Sequence, residues 1–303
     1  MKIALVGIGK IALDQHVPAL RASADWDLAA TVSRSGRVEG FEAFTEIGAM
    51  LAARPDIGAV SLCLPPVPRF AAAEAVLRAG RHLMLEKPPG ASLSEVHALQ
   101  ALAREAGVTI YATWHSRMAL GVAAAKRWLA DKRIERGRII WREDIRQWHP
   151  GQDWILEAGG MGVFDPGINA LSILTEILPA PVHLRAATLD FPANRQAPIA
   201  ARLSLSDGIE ADLDFLQSGP QTWDIELLTD AGTMALRMGG NLFEIAGKPV
   251  EGQEDIMQEY PALYARMAEL VRDGRSEVDL APMVLVADAF TMGERAVVAP
   301  FDF

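Results

Sequence analysis

The chain has 303 residues, half of them hydrophobic and 22% charged, which is the balance of a folded globular protein and not of a disordered one. Its formal net charge of −10 argues against non-specific binding to nucleic acid or to an anionic membrane. A single cysteine excludes an intrachain disulfide. No apolar run reaches the roughly 18 residues that span a bilayer, so we expect a cytoplasmic protein that is not bound to a membrane.

The first part of the chain alternates strand and helix patterns. Apolar runs typical of buried parallel strands occur at residues 2–7, 28–32, 59–64, 82–85 and 109–113. Helical patterns lie between several of them, at about residues 11–22, 69–79 and 94–106. This alternation indicates right-handed crossovers, and it predicts an α/β domain with a doubly wound parallel sheet over residues 1–117.

The second part, residues 118–303, has a different pattern, in which strands follow one another directly. The predicted strands are residues 138–145, 182–190, 200–205, 209–216, 223–228, 233–237 and 241–245. The predicted helices are about residues 120–131, 166–177, 260–272 and 281–293. This order predicts an α+β domain with a mostly antiparallel open sheet, which we expect to bind substrate and to form the contact of a homodimer.

A glycine motif follows the first strand. Residues 7–12 read GIGKIA, which fits the G-x-G-x-x-A dinucleotide fingerprint between a buried strand and a helix. In this motif Gly7 permits a tight turn and Gly9 lets the main chain approach a pyrophosphate. Lys10 and Ile11 open the helix, whose first N–H groups attract phosphate. The motif predicts a dinucleotide site, and the alternative is a glycine turn without a ligand.

The end of the second strand bears on the choice between NAD and NADP. NAD enzymes usually carry Asp or Glu about 20 residues beyond the motif, to hold the ribose hydroxyls. In this chain Ser33 and Arg34 take that place. A hydroxyl and a guanidinium suit a 2′-phosphate, so we expect NADP to be preferred, with some use of NAD. The alternative is that Arg34 is a solvated loop residue.

Two later strands of the predicted sheet end in proline-rich segments. Ser61–Pro66 reads SLCLPP and Leu83–Gly90 reads LMLEKPPG. Ligands bind at the carboxyl ends of the strands in open α/β sheets. We therefore expect Pro65, Pro66 and Glu86 to contact the dinucleotide.

A third segment, Gly159–Asn169, reads GGMGVFDPGIN. It contains Asp165 and Asn169, which are four residues apart on a predicted helix and so share one face. Asp165 followed by proline is also typical of a helix N-cap, which is the structural alternative for this residue.

With these motifs in this order, the chain resembles the glucose–fructose oxidoreductase and inositol dehydrogenase family over essentially its whole length. The EKP motif after a strand of the dinucleotide domain is a fairly specific signal of that family. Within it, the segments MLEKPPGA, ATWHSR and GVFDPGINALSI are most similar to the bacterial aldose 1-dehydrogenases, which oxidise L-arabinose or D-galactose to the lactone. The resemblance implies a nicotinamide-dependent oxidoreductase that acts on a small sugar.

The resemblance places the family's lysine at Lys87, where it can position the reacting hydroxyl and take its proton. Many members of the family carry histidine where this chain has Asn169. Since asparagine does not titrate, Lys87 and Asp165 remain as candidate bases, and Asn169 is expected to hold the substrate. The alternative for Lys87 is a surface lysine without a catalytic role.

The resemblance also places Glu143 and His149 around the sugar. Carboxylate and imidazole groups suit a polyhydroxyl substrate, and neighbouring tryptophans can cover its C–H face. His115, at the carboxyl end of a predicted strand, is a further candidate. For both histidines an ordinary structural role is the alternative.

We therefore expect hydride transfer from the anomeric C1 of D-galactose or L-arabinose to the nicotinamide, with Lys87 and Asp165 as the catalytic pair. No grouping of residues has metal-ligand spacing, and no metal is expected. The alternatives are another polyol or inositol dehydrogenase, an NADPH-dependent reductase, or a catalytically silent dinucleotide-binding regulator.

Overall fold

The computed structural model describes residues 1–252 and 259–303, with only the main chain described for residues 251 and 252. The described chain forms two compact units. The first consists of Met1–His115 and residues 259–279, and the second of residues 116–252 and Leu280–Phe303. Within these described ranges, no helix is both long enough and apolar enough to cross a membrane.

The first unit is built on a six-stranded parallel sheet. Its strands are β1 (Lys2–Val6), β2 (Asp27–Val32), β3 (Glu42–Phe44), β4 (Ala59–Leu62), β5 (His82–Leu85) and β6 (Ile110–Ala112). Its helices are α1 (Val17–Ala22), α2 (Ile47–Ala53), α3 (Pro66–Arg78), α4 (Leu93–Ala106) and α8 (Glu259–Arg272), and a π-helical turn, Ala12–His16, precedes α1. The strand order β3-β2-β1-β4-β5-β6 confirms the predicted doubly wound sheet.

The apolar strands of this sheet are buried on both faces. Residues 3–5 of β1 are fully buried and Val6 is 3% exposed, as expected where helices cover both sides of a parallel sheet. The helices are bounded by local signals in the sequence. For example, α4 begins after Ser92, whose Oγ accepts the Glu95 N–H, and ends at Gly107, which has a φ of 65°.

The second unit combines a nine-stranded sheet with four helices. Its strands are β7 (Ile134–Arg142), β8 (Leu184–Pro192), β9 (Ala200–Leu205), β10 (Ile209–Asp214), β11 (Thr222–Thr229), β12 (Gly232–Arg237), β13 (Leu242–Ile245), β14 (Lys248–Gly252) and β15 (Glu294–Val298). Its helices are α5 (Val122–Leu129), α6 (Ile145–Trp148), α7 (Phe164–Ile177) and α9 (Ala281–Met292). The order is β14-β13-β12-β11-β7-β10-β9-β8-β15. Among the strand pairs of the described residues, only β10–β7 and β15–β8 are parallel, which confirms the mostly antiparallel sheet.

The structure differs from the predicted division of the chain in the placement of α8. The predicted domains, residues 1–117 and 118–303, put this helix in the second domain, whereas it packs in the first unit. There the Trp26 side-chain N–H donates to the Tyr264 carbonyl at 2.8 Å. The helical pattern of the sequence shows that α8 has an apolar face, but not which sheet that face covers. The predicted strand at residues 138–145 also ends early, because Ile145 begins α6.

Candidate functional site

The glycine turn after β1 has the geometry of a dinucleotide-binding loop. Gly7 has a φ of 87°, and a Cβ there would lie 2.9 Å from the main chain of Cys63, so the position requires glycine. A Cβ on Gly9 would meet no atom of the described residues within 4 Å, so the main chain is open to a ligand on that side. The Leu13 N–H donates to the Gly9 carbonyl at 3.1 Å, so the helix starts directly at the turn. These features fit a pyrophosphate beside the turn.

The loop after β2 packs against this glycine turn. A Cβ on Gly36 would lie 2.1 Å from the carbonyl oxygen of Ile8, and the Gly36 N–H donates to Ser33 Oγ at 3.0 Å. The loop therefore presents the exposed Arg34 and Arg37 next to the motif. Sequence analysis identified Ser33 and Arg34 but missed Gly36 and Arg37, since the close approach of Gly36 to Ile8 has no local signature.

The other residues predicted around the dinucleotide lie at the same edge of the sheet. Lys10 and Ile11 are exposed in the first helical turn, and Lys10 forms an ion pair with Asp14. Pro65 is the N-cap of α3, and Pro66 is its first residue. Because β4 is the parallel neighbour of β1, the segment after β4 lies beside the glycine turn. Their contacts with a dinucleotide stay predictions.

Glu86 points into the interior of the first unit. It is 5% exposed, its Oε1 lies 3.1 Å from His16 Nε2, and its Oε2 accepts the Lys87 N–H at 3.0 Å. Burial alone raises the pKa of Glu86, but the hydrogen bond and the charge of His16 lower it to about 2. Burial alone lowers the pKa of His16, whereas the acidic groups around it raise that pKa well above its usual range. The contacts of Glu86 with His16 and with the Lys87 N–H thus anchor the segment before Lys87, while the predicted contact of Glu86 with the dinucleotide stays a prediction.

Lys87 and His115 follow two neighbouring parallel strands, β5 and β6. Lys87 is half-buried and lies two residues after the end of β5. His115 Nδ1 lies 2.5 Å from Glu259 Oε2, and the imidazole stacks on Tyr260 with the ring centroids 5.7 Å apart. Glu259 was missed by sequence analysis, because it belongs to α8, which no motif connects to the sheet.

In the second unit, His149 lies between two buried carboxylates. Its Nε2 is 3.3 Å from Glu143 Oε1, and its Nδ1 is 3.9 Å from Asp165 Oδ2. Glu143 is 3% exposed and Asp165 is 4% exposed. The structure thus brings together three residues that the sequence predicted separately. Two carboxylates and an imidazole supply several acceptors and a donor for the hydroxyl groups of a sugar.

The glycines of the third motif bring Asp165 to this position. Gly162 has a φ of 57°, and a Cβ there would lie 2.1 Å from the Pro198 carbonyl oxygen. On the next turn, a Cβ on Gly167 would lie 2.7 Å from the Leu213 side chain. The alternative role of Asp165 as an N-cap is wrong: α7 begins at Phe164, so Asp165 lies inside its first turn. Asn169 is half-buried one turn later on the same helix.

An aromatic group adjoins Glu143, and one of its members was missed by sequence analysis. Trp223 Nε1 donates to Glu143 Oε2 at 2.9 Å. The Trp223 ring lies against Trp148 and Trp141, with centroid distances of 5.2 and 6.1 Å. The described residues place no acceptor within reach of the buried Trp148 Nε1. We name Glu143, His149, Asp165, Trp148 and Trp223 the carboxylate–tryptophan cluster. Among the residues that the structure describes, no group of His, Cys, Asp and Glu could hold a metal ion.

Comparison with known proteins identifies the family. The model of an oxidoreductase family with an NAD-binding Rossmann fold matches residues 1–113. The chain is 40% identical over 309 residues to galactose 1-dehydrogenase of Pseudomonas fluorescens, with 99% of this chain and 98% of the relative covered. The chain belongs to the glucose–fructose oxidoreductase and inositol dehydrogenase family. This confirms the predicted family, and with it an oxidoreductase whose first unit is a nicotinamide-dinucleotide domain.

Solved structures agree with both units of the fold. The crystal structure of D-galactose 1-dehydrogenase from Rhizobium etli is 52% identical, with a TM-score of 0.94 and coverage of 99% of this chain and 97% of that one. A 3-ketoreductase from Actinomadura kijaniata, crystallised with NADP, is 20% identical, with a TM-score of 0.82 and coverage of 98% and 99%. The second similarity shows the shared fold alone.

Proposed function

We propose that this protein oxidises D-galactose at C1 to the lactone with a nicotinamide dinucleotide as the hydride acceptor. The observation that carries the proposal is the carboxylate–tryptophan cluster, in which two buried carboxylates flank an imidazole beside indole rings. Such a set offers hydrogen-bond partners to hydroxyl groups and an apolar surface to the C–H face of a pyranose. The two galactose dehydrogenases that resemble this chain over nearly its whole length support the choice of sugar.

In the proposed reaction, the C1–H bond breaks as a hydride and the C1 hydroxyl loses a proton, so that C1 becomes the lactone carbonyl. A bound nicotinamide supplies the hydride acceptor. Lys87 takes the hydroxyl proton, and Asp165 assists it. Asn169, Glu143 and His149 hold the sugar hydroxyls. His115, which follows β6, is a further residue that binds the sugar. The open side of Gly9 holds the pyrophosphate, with Lys10, Ile11, Pro65, Pro66 and Glu86 as the further predicted residues of the dinucleotide site.

The proposal includes a preference for NADP over NAD. Its support is the loop after β2, in which Gly36 packs against the glycine turn. This loop carries Ser33, Arg34 and Arg37, and no carboxylate follows the end of β2 directly. A guanidinium can make paired, charge-assisted hydrogen bonds to a 2′-phosphate but has no such partner on a ribose hydroxyl. Arg34→Ala should therefore weaken NADP⁺ binding by about tenfold or more and leave NAD⁺ binding within about twofold.

The test is absorbance at 340 nm with NADP⁺ or NAD⁺ and a panel of aldoses and polyols. D-Galactose should reduce the cofactor, and L-arabinose should do so as well, because its pyranose matches galactose at C2, C3 and C4 and lacks only C6. Lys87→Ala should lower kcat by at least about 100-fold. A loss below tenfold refutes the role of Lys87. Reduction with inositol or another polyol but with no aldose refutes the proposed substrate.

Two features outside the reaction stay predictions. We propose that the protein acts in the cytoplasm and that it forms a homodimer through the sheet of the second unit. Size-exclusion chromatography with light scattering tests the dimer directly.

A further inference from the structure

The segment that contains Lys87 is held by a buried arginine from another part of the first unit. Arg69 lies on α3 and is 2% exposed. Its guanidinium donates to the carbonyl oxygens of Glu86 and Pro88, the residues immediately before and after Lys87. One planar side chain therefore holds both main-chain carbonyls that flank the lysine.

Two further contacts of the same guanidinium and its neighbours complete the restraint. Arg69 also donates to the carbonyl of Leu64, with Nε at 2.9 Å, which ties the segment after β4 to the segment after β5. The Lys87 N–H donates to Glu86 Oε2 at 3.0 Å. The main chain of Lys87 is thus held at its own N–H and at the carbonyl on each side of it. These bonds determine the direction in which the lysine side chain leaves the main chain.

We propose that Arg69 is the positioning residue for Lys87, and that it acts on catalysis by holding this main chain and not by touching a ligand. The inference rests on the role of Lys87 in the proposed function. The rigid fork of a guanidinium presents five donors in fixed directions from three nitrogens, whereas the three donors of a lysine ammonium all lie on one nitrogen at the end of a flexible chain. A displacement of about 1 Å in a catalytic group costs about 100-fold in rate. Arg69→Met should therefore lower kcat by about 100-fold and leave dinucleotide affinity within about threefold.

A double-mutant cycle tests this with Arg69→Met, Lys87→Met and the pair, using the best substrate from the 340 nm screen. Arg69→Met should cost about 100-fold in wild type and less than about threefold when Lys87 is already methionine. Dinucleotide affinity is measured by quenching of tryptophan fluorescence. The matched control is Arg78→Met on the same helix, an exposed arginine paired with Glu74, which should keep kcat within about twofold.

The outcomes separate the inference from the proposed function. If Lys87→Met remains active, the assignment of Lys87 fails, and the positioning role of Arg69 fails with it. If Lys87→Met lowers kcat by at least about 100-fold, two results would overturn the inference about Arg69 and leave that about Lys87 standing. In the first, Arg69→Met keeps kcat; in the second, it lowers kcat by the same factor with and without Lys87→Met. A fall in dinucleotide affinity by the same factor as kcat also overturns the inference. If Arg69→Met does not fold, Arg69→Lys replaces it, and a kcat loss of at least about tenfold is expected.

Discussion

Trp223 provides the most direct test of the carboxylate–tryptophan cluster, because it contacts Glu143 through a single hydrogen bond. In a Trp223→Phe variant the indole N–H is lost, while most of the aromatic surface against Trp148 is kept. The lost bond is charge-assisted, has a length of 2.9 Å and serves a carboxylate that is 3% exposed. Bonds of this kind contribute about 1.5–3 kcal/mol. The remaining contact of Glu143, with His149 at 3.3 Å, orients only its other oxygen.

In the variant, Glu143 is no longer held in place and must be oriented when the sugar binds, at a cost of up to the free energy of the lost bond. If Glu143 holds sugar hydroxyls equally well in the ground state and in the transition state, this cost appears in KM. At about 1.4 kcal/mol per factor of ten, we expect KM for galactose to rise by up to about 150-fold, with kcat changed by less than about threefold. Steady-state kinetics at 340 nm measure both constants, and the affinity for the dinucleotide should not change. Glu143→Gln, which removes the negative charge, should raise KM at least as much.

Trp128→Phe is the matched control for this substitution. Trp128 lies on α5 in the same unit, half-buried, with Lys132 Nζ 4.7 Å from its ring centroid. It should leave KM within about twofold. A rise in KM of less than about threefold for a folded Trp223→Phe would refute the view that Glu143 binds the sugar in the orientation seen here. An equal fall in kcat for both variants would point to a general loss of folded protein.

Three further predictions concern Glu86, the glycine turn of the first unit and the glycine turn before Asp165 in the second unit. Because the pKa of Glu86 is lowered from its usual 4.5 to about 2, this carboxylate contributes about 3 kcal/mol of stability, fully present above about pH 4.5 and lost as pH falls towards 2. Urea titrations from pH 7 to pH 3 should show that loss in wild type, and Glu86→Gln should lack it; identical acid sensitivity in both contradicts the reasoning. Gly36→Ala should weaken dinucleotide binding by about tenfold or more, since its Cβ would lie 2.1 Å from a main-chain oxygen. The control Gly48→Ala, whose Cβ would meet nothing within 4 Å among the described residues, should bind the dinucleotide normally. Gly162→Ala should lower the melting temperature by several degrees and raise KM for the sugar, because its Cβ would clash with the Pro198 carbonyl; an unchanged KM would separate this turn from the cluster.

The elements of the fold that were predicted correctly are those with strong local patterns. The continuous apolar run of β1 and the glycine turn after it identify the dinucleotide domain, because each depends on residues adjacent in the chain. The short edge strand β3, with mixed polarity, and the final strands β14 and β15 were missed. They lack the alternation or the length by which a strand is recognised.

The residues of the site that were missed are those whose role depends on partners far along the chain. Trp223 is 80 positions from Glu143, and nothing in β11 marks it as the donor to that carboxylate. Arg69 is one of many arginines in the sequence, and only its burial between two strand ends distinguishes it. His149 was an ambiguous loop histidine until the fold placed it between Glu143 and Asp165. Motifs show which residue types are present, whereas contacts such as these depend on tertiary packing.

Because the first unit takes its last helix from residues 259–272, it cannot be completed during synthesis until most of the chain has left the ribosome. Until then Tyr264 is absent from His16, and Glu259 is absent from His115. The nascent dinucleotide domain therefore lacks both of these contacts with α8 while residues 116–258 are synthesised. An isolated fragment of residues 1–117 would lack α8 altogether. A separately expressed version of this domain therefore requires α8 to be joined to it by a designed linker.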